Sequence, residues 1–150
     1  MMTEISLNVL DVSENSTRAG ASLVTILVTA DTSADKLTIV IADDGCGMTE
    51  EQVAHVTDPF FTTRTTRKVG LGIPFFKYAA ESTGGSFHIE SEPGKGTTVT
   101  AVFGLSHIDR MPLGDMNATI HNLIVYHPDT DFLYTYTYND ASFTLDTRQM

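Results

Sequence analysis

Apolar residues return at helical spacing near the start of the chain. Ile5, Val9, Val12 and Ala19 fall along one side of a helix predicted from about Thr3 to Arg18, and the Ala19-Gly20-Ala21 step supplies a glycine stop. Residues 22–30 and 36–44 are then rich in β-branched side chains and joined by the polar stretch 31–35, which predicts an antiparallel hairpin. Gly45-Cys46-Gly47-Met48 breaks the second strand, and Thr49 opens a short helix with Gln52 completing a capping box. Residues 57–70 have no apolar period and read as loop. Residues 72–85 read as a helix with Pro74 in its first turn and a Gly84-Gly85 stop, followed by a strand, a tight turn and a strand over 86–105. Past residue 105, Pro112 and Gly114 suggest a turn into a short helix at 115–121. Residues 123–127 and 132–138, separated by a Pro-Asp-Thr-Asp turn, predict a second hairpin, with 141–146 as a third strand and Asp146 or Thr147 capping a further helix. The alternation of aromatics with threonine over 132–138 reads as a half-buried strand or as a partner-binding edge.

Composition narrows the class. A chain of 150 residues with 41% hydrophobic and 19% charged content suits one globular domain rather than a disordered chain. Nineteen acidic against nine basic residues give a formal net charge of −10, and no Lys/Arg cluster offers a footprint for nucleic acid, so none is expected as a partner. A single cysteine, Cys46, excludes an internal disulfide and fits a reducing cytosol; it reads as a small filler between two glycines or as a redox-sensitive thiol. No apolar run approaches membrane-spanning length and the start lacks signal-peptide sections, so a cytoplasmic location away from the membrane is expected.

Four stretches carry candidate chemistry. Asp11 and Asn15, four apart, share a helix face with Arg18 a turn further on; oxygen donors so placed suit a hydrated Mg²⁺, although a solvated helix face has the same pattern. Asp43 ends an apolar strand and is followed by Gly45-x-Gly47, which places an acceptor beside closely approachable backbone or makes a tight turn. A second Gly-x-Gly, Gly70-Leu71-Gly72, opens a helix and offers free N–H groups to an anion, with Arg64, Arg67 and Lys68 just upstream in a loop.

In this order, and with the hairpin of residues 90–103 behind them, the stretches resemble the ATP-binding domain shared by sensor histidine kinases, type II topoisomerases, the heat-shock chaperone ATPase and mismatch-repair ATPases, the GHKL superfamily. The resemblance covers residues 4–104 and implies an α/β two-layer sandwich of the Bergerat type: a mixed, mostly antiparallel sheet with helices on one face and ATP beneath a lid at about Asp58 to Gly70. It implies an ATP-binding domain over 1–105, with 106–150 a connector and C-terminal β extension packed on the same domain. By matching position, Asn15 would bind Mg²⁺, Arg18 would face phosphate and Asp43 would read the adenine amine. Gly45 and Gly47 would shape the adenine end of the pocket, Met48 and Phe60 would also bind the nucleotide, Arg64, Lys68, Gly70, Leu71 and Gly72 would hold the phosphates, and Thr98 would put a hydroxyl near the adenine.

The chain mixes branches of that superfamily. Arg18 resembles the kinase pattern, while the Ala19-Gly20-Ala21 step resembles the mismatch-repair and topoisomerase pattern. The hydrolytic branch carries a glutamate four residues before its Asn, where this chain has the shorter Asp11, the candidate general base. Lys68 stands where the first glycine of the phosphate loop often lies. The implied function is a Mg-ATP-binding regulatory ATPase or kinase module acting on another protein; the alternative is a non-catalytic, nucleotide-gated interaction module of anti-sigma-factor type. Because the sequence starts at the Asn-bearing helix, with no histidine-bearing helix ahead of it, a stand-alone protein is expected. Residues 106–113 resemble the phosphoacceptor box of sensor kinases at Ser106, His107, Arg110, Pro112 and Leu113. Ile108 takes the place of that box's acidic residue and the stretch follows the domain, so a connector is expected, with Asp109 and Arg110 pairing locally.

Overall fold

The computed structural model describes residues 4–58 and 72–149. Helix α1 (Ile5–Arg18) buries Ile5, Val9 and Val12 against the sheet, as its apolar spacing requires. Glu4 gives no side-chain cap to this helix. The first free N–H groups, of Ile5 and Ser6, instead donate to the carbonyls of Pro112 and Leu113 at 3.0 and 2.8 Å. Residues 106–115 thus close the start of α1 besides connecting two elements.

The hairpin β1 (Leu23–Asp31) and β2 (Lys36–Asp43) forms the centre of the sheet, pairing Ile26 with Ile41 and Val28 with Ile39 on the buried face. Helix α2 (Glu50–Val56) begins at the capping box of Thr49 and Gln52. Helix α3 (Gly72–Glu81) buries Ile73, Phe76 and Ala80, then leads into β3 (Ser86–Glu92) and β4 (Gly96–Gly104). The six strands run in the order β3-β4-β2-β1-β5-β6, where β5 is Asp131–Tyr138 and β6 is Ala141–Asp146. The β1–β5 pair is parallel and the others antiparallel, so the sheet is mixed and mostly antiparallel. The architecture is the expected α/β sandwich.

The C-terminal part differs from its sequence reading at residues 123–127 and at its last turn. Residues 123–127 do not form a strand: they complete helix α4 (Met116–Tyr126), capped by the Asp115 side chain on the Ala118 N–H at 2.9 Å. A short apolar run fits either period, and tertiary packing chooses here. Burial of Met116, Thr119, Ile120 and Leu123 follows helical spacing, against α1 and β5. The hairpin is instead β5 with β6, pairing Tyr136 with Phe143, and β5 is half-buried as its alternation suggests. At the end, Asp146 accepts from the Arg148 N–H and starts only a 3₁₀ turn, Thr147–Gln149. Arg110 does not pair with Asp109; its guanidinium donates to the carbonyls of Leu105 and Met111. Among the described residues, no helix is long and apolar enough to cross a membrane.

Two substitutions separate helix from strand at residues 123–127. Leu123→Ala removes a fully buried side chain and is expected to cost about 2–5 kcal/mol in urea unfolding. Val125→Ala, at a position 52% exposed, is expected to cost under about 0.5 kcal/mol. A strand would bury both on one face, so equal losses would contradict the helix.

Candidate functional site

A cavity of about 240 Å³ opens between the helices and the sheet where β2 ends. Helix α1 supplies Val12, Asn15, Ser16 and Ala19 to its wall, the strands supply Ile41, Asp43, Thr97 and Val99, and Val56 and Ile73 come from α2 and α3. Cys46, Gly47 and Met48 complete it from the loop after β2.

Asp43 is the last residue of β2 and faces this cavity on the same side of the sheet as Ile41. Its carboxylate is held from two sides: the Ser16 hydroxyl donates to Oδ2 at 2.7 Å and the Gly45 N–H to Oδ1 at 2.9 Å. Each oxygen keeps a further lone pair for a ligand. Asp44 turns the other way and accepts from the Ser22 hydroxyl and from the N–H groups of Ser22 and Leu23. Those bonds, the Ser22 hydroxyl first, hold the Asp44 carboxyl below its ordinary pKa. The paired aspartates therefore divide the work, one clamping the start of β1 and the other presenting an acceptor to the cavity.

The loop between them and α2 is pinned along its length. Cys46 donates its N–H to Ala19 and accepts at its carbonyl from Gly94, at 2.9 and 2.7 Å, and the Met48 N–H bonds the Ser91 hydroxyl at 2.8 Å. Gly47 has φ +71°, and a Cβ there would lie 2.0 Å from the Glu92 carbonyl oxygen, so only glycine fits. The Cys46 side chain is exposed at the cavity, and its backbone groups hold the loop. Where α3 begins, it packs so closely on α1 that a Cβ on Gly72 would lie 2.9 Å from the Cβ of Asp11.

The structure brings Asn15, Asp43, Gly47 and Met48 together around the cavity, with Gly45 bonded to Asp43 and Gly72 against Asp11. Arg18 reaches back along α1 and donates to Asn15 Oδ1 at 2.8 Å. Burial raises the Asp11 pKa above its ordinary value; the charge of Arg18 partly offsets this and that of Glu14 adds to it. Thr98 does not line the cavity, contrary to its expected place near the adenine. It pairs with Ala42 on the opposite face of the sheet, and the hydroxyl that lines the cavity belongs to Thr97, opposite Asp43 and bonded to Ser91 at 2.7 Å. Strand alternation counted from the buried Val99 would have found it. Ser16 was missed as well, although its place beside Asn15 on a helix turns it towards the sheet. Phe60, Arg64, Arg67, Lys68, Gly70 and Leu71 lie outside the described residues.

An acceptor fixed at the end of an apolar cavity suits a flat aromatic group carrying an N–H donor. Asn15, on the cavity wall, offers an oxygen donor of the kind a hard cation takes, so it fits Mg²⁺. No group of three or more His, Cys, Asp or Glu among the described residues could hold a metal alone, so remaining ligands would come from water or from a bound anion.

Residues 1–107 match the family of histidine kinase-, DNA gyrase B-, and HSP90-like ATPases. The chain is similar to sensor protein SrrB of Staphylococcus aureus, 32% identical over 102 residues that make up 65% of this chain and 17% of that protein. It is similar to sporulation kinase E of Bacillus subtilis, 40% identical over 63 residues, 42% of this chain and 8% of the kinase. The chain thus spans less than a fifth of either relative. In fold, it superposes on the crystal structure of the N-terminal domain of a DNA repair protein with a TM-score of 0.67 and 14% identity, over 97% of this chain and 53% of that one.

The raised pKa of Asp11 has a consequence for stability. A carboxylate with a folded pKa above the ordinary 3.8 opposes folding once ionised; the penalty is absent below 3.8 and complete above the raised value. Asp11→Asn is expected to raise the urea midpoint at pH 7, with the advantage shrinking as the pH falls through the carboxylate range. An equal advantage at pH 3 and pH 7 would show that charge burial is not the cause.

Proposed function

We propose that this chain, which belongs to the histidine kinase-, DNA gyrase B- and HSP90-like ATPase family, binds Mg-ATP in the cavity at the end of β2 and serves as a regulatory kinase or ATPase module. The observation that carries the reading is Asp43: a carboxylate facing an apolar cavity and fixed by Ser16 and Gly45, with lone pairs to spare for the adenine amine. Ile41, Met48 and Val99 supply apolar wall for the base, and the Thr97 hydroxyl stands across from Asp43. The phosphates then extend along α1 towards Asn15 and Arg18, and the sequence offers Arg64, Lys68 and the Gly70-Leu71-Gly72 step for their outer oxygens.

Asn15 Oδ1 is the oxygen that would hold Mg²⁺, which when bound neutralises phosphate charge. Asp11 has the separate task of orienting a water, or the hydroxyl or imidazole of an acceptor, towards the terminal phosphate. Its desolvation suits that task, because a carboxylate with raised proton affinity is a better base near neutral pH. The second reading is a non-catalytic module, in which a partner protein distinguishes the nucleotide-bound state from the free one.

Equilibrium ATP binding is the primary test. Asp43→Asn is expected to weaken it by about tenfold or more, in line with a lost charge-assisted hydrogen bond; full-strength binding would remove Asp43 from the adenine site. With γ-labelled ATP and Mg²⁺, release of free phosphate that disappears in Asp11→Asn supports catalysis. Tight binding with neither phosphate release nor labelled protein supports the nucleotide-gated module.

A further inference from the structure

On a helix, an acid four residues before a base is the arrangement that pairs best. Glu14 and Arg18 stand so on α1, yet among the described residues no ion pair joins them. Glu14 is engaged elsewhere: His127, at the C-cap of α4, holds its carboxylate through Nε2. Arg18 turns instead to Asn15, donating Nη2 to Oδ1 at 2.8 Å, and its charge also acts on the carboxylate of Asp11. A guanidinium therefore sits on the oxygen donor that the nucleotide reading gives to Mg²⁺.

We infer that Arg18 is a built-in occupant of the cation position, steered there by the His127–Glu14 contact, so that the cation and the nucleotide enter together. This rests on the nucleotide reading of the cavity. A cation arriving alone must displace the guanidinium from Asn15 Oδ1 and supplies no anionic partner in exchange. An incoming triphosphate offers Arg18 that partner, frees Oδ1 and brings phosphate oxygens to complete the cation's ligands. The two ligands are then coupled through one side chain, and α4, which lies beyond the stretch that matches the ATPase family, sets that coupling through His127. Arg18 acts here as a positioning residue.

The test follows the Asn15 side-chain amide by NMR during separate titrations with Mg²⁺ alone and with ATP in EDTA. Arg18→Ala, at an exposed position, is expected to lower the Mg²⁺ midpoint by roughly three- to tenfold, the scale of an exposed charge-assisted hydrogen bond. The same substitution weakens ATP binding in EDTA. His127→Ala releases Glu14 to capture Arg18 and is expected to lower the Mg²⁺ midpoint too, whereas adding Glu14→Gln to it restores the wild-type value. An unchanged Mg²⁺ midpoint in Arg18→Ala, with ATP still binding the wild-type chain, overturns the inference and leaves the nucleotide reading standing. Failure of ATP to bind the wild-type chain overturns both.

Discussion

Everything at the candidate site depends on the two hydrogen bonds that fix Asp43. A carboxylate at the end of a strand, facing an apolar cavity, is costly to keep there unless its oxygens are paired. Ser16 and Gly45 supply that pairing from two elements, a helix and a loop, and so couple the position of α1 to the path of the chain after β2. The apolar walls then take their places around an acceptor whose direction is already set. The rest of the loop is held by backbone contacts to Ala19 and Gly94, and its close approach to the Glu92 carbonyl leaves room only for glycine at position 47.

The segments outside this corner support it in specific ways. Pro112 and Leu113 close the open N-terminus of α1 with their carbonyls, which a poorly capped helix beginning at Ile5 needs. Helix α4 packs on the outer side of α1 and reaches it through His127 and Glu14, while β5 extends the sheet in parallel to β1. The helix that carries Asp11, Asn15 and Ser16 is thus braced from its start, its flank and its sheet face. That bracing gives residues 106–146 a structural relation to the site even though none of them lines it.

Much of this was legible in the sequence because the signals were local. The alternation in β1 and β2, the Thr49 capping box and the acid at the end of β2 each follow from a few adjacent residues. What escaped depended on neighbours distant in the chain. The run 123–127 fits a strand or a helix equally well, and only its burial against α1 and β5 decides for the helix. Strand parity separates Thr97 from Thr98: the two hydroxyls lie on opposite faces of one sheet, which matching by position along the chain does not register. The partner of Arg18 was hidden for the same reason, since the ordinary helical pairing with Glu14 is overridden by a histidine 113 residues away. The Asp43–Ser16 bond joins residues 27 apart and has no sequence signature beyond the face on which Ser16 falls.

The central claim is that Asp43 meets the base of a bound adenine nucleotide. A crystal structure of the chain with a non-hydrolysable ATP analogue and Mg²⁺ tests it most directly. The account predicts the exocyclic amine at about 3 Å from a carboxylate oxygen of Asp43, with the Ser16 and Gly45 bonds intact. A nucleotide bound with its base outside this cavity, leaving Asp43 to Ser16 and Gly45 alone, would contradict it.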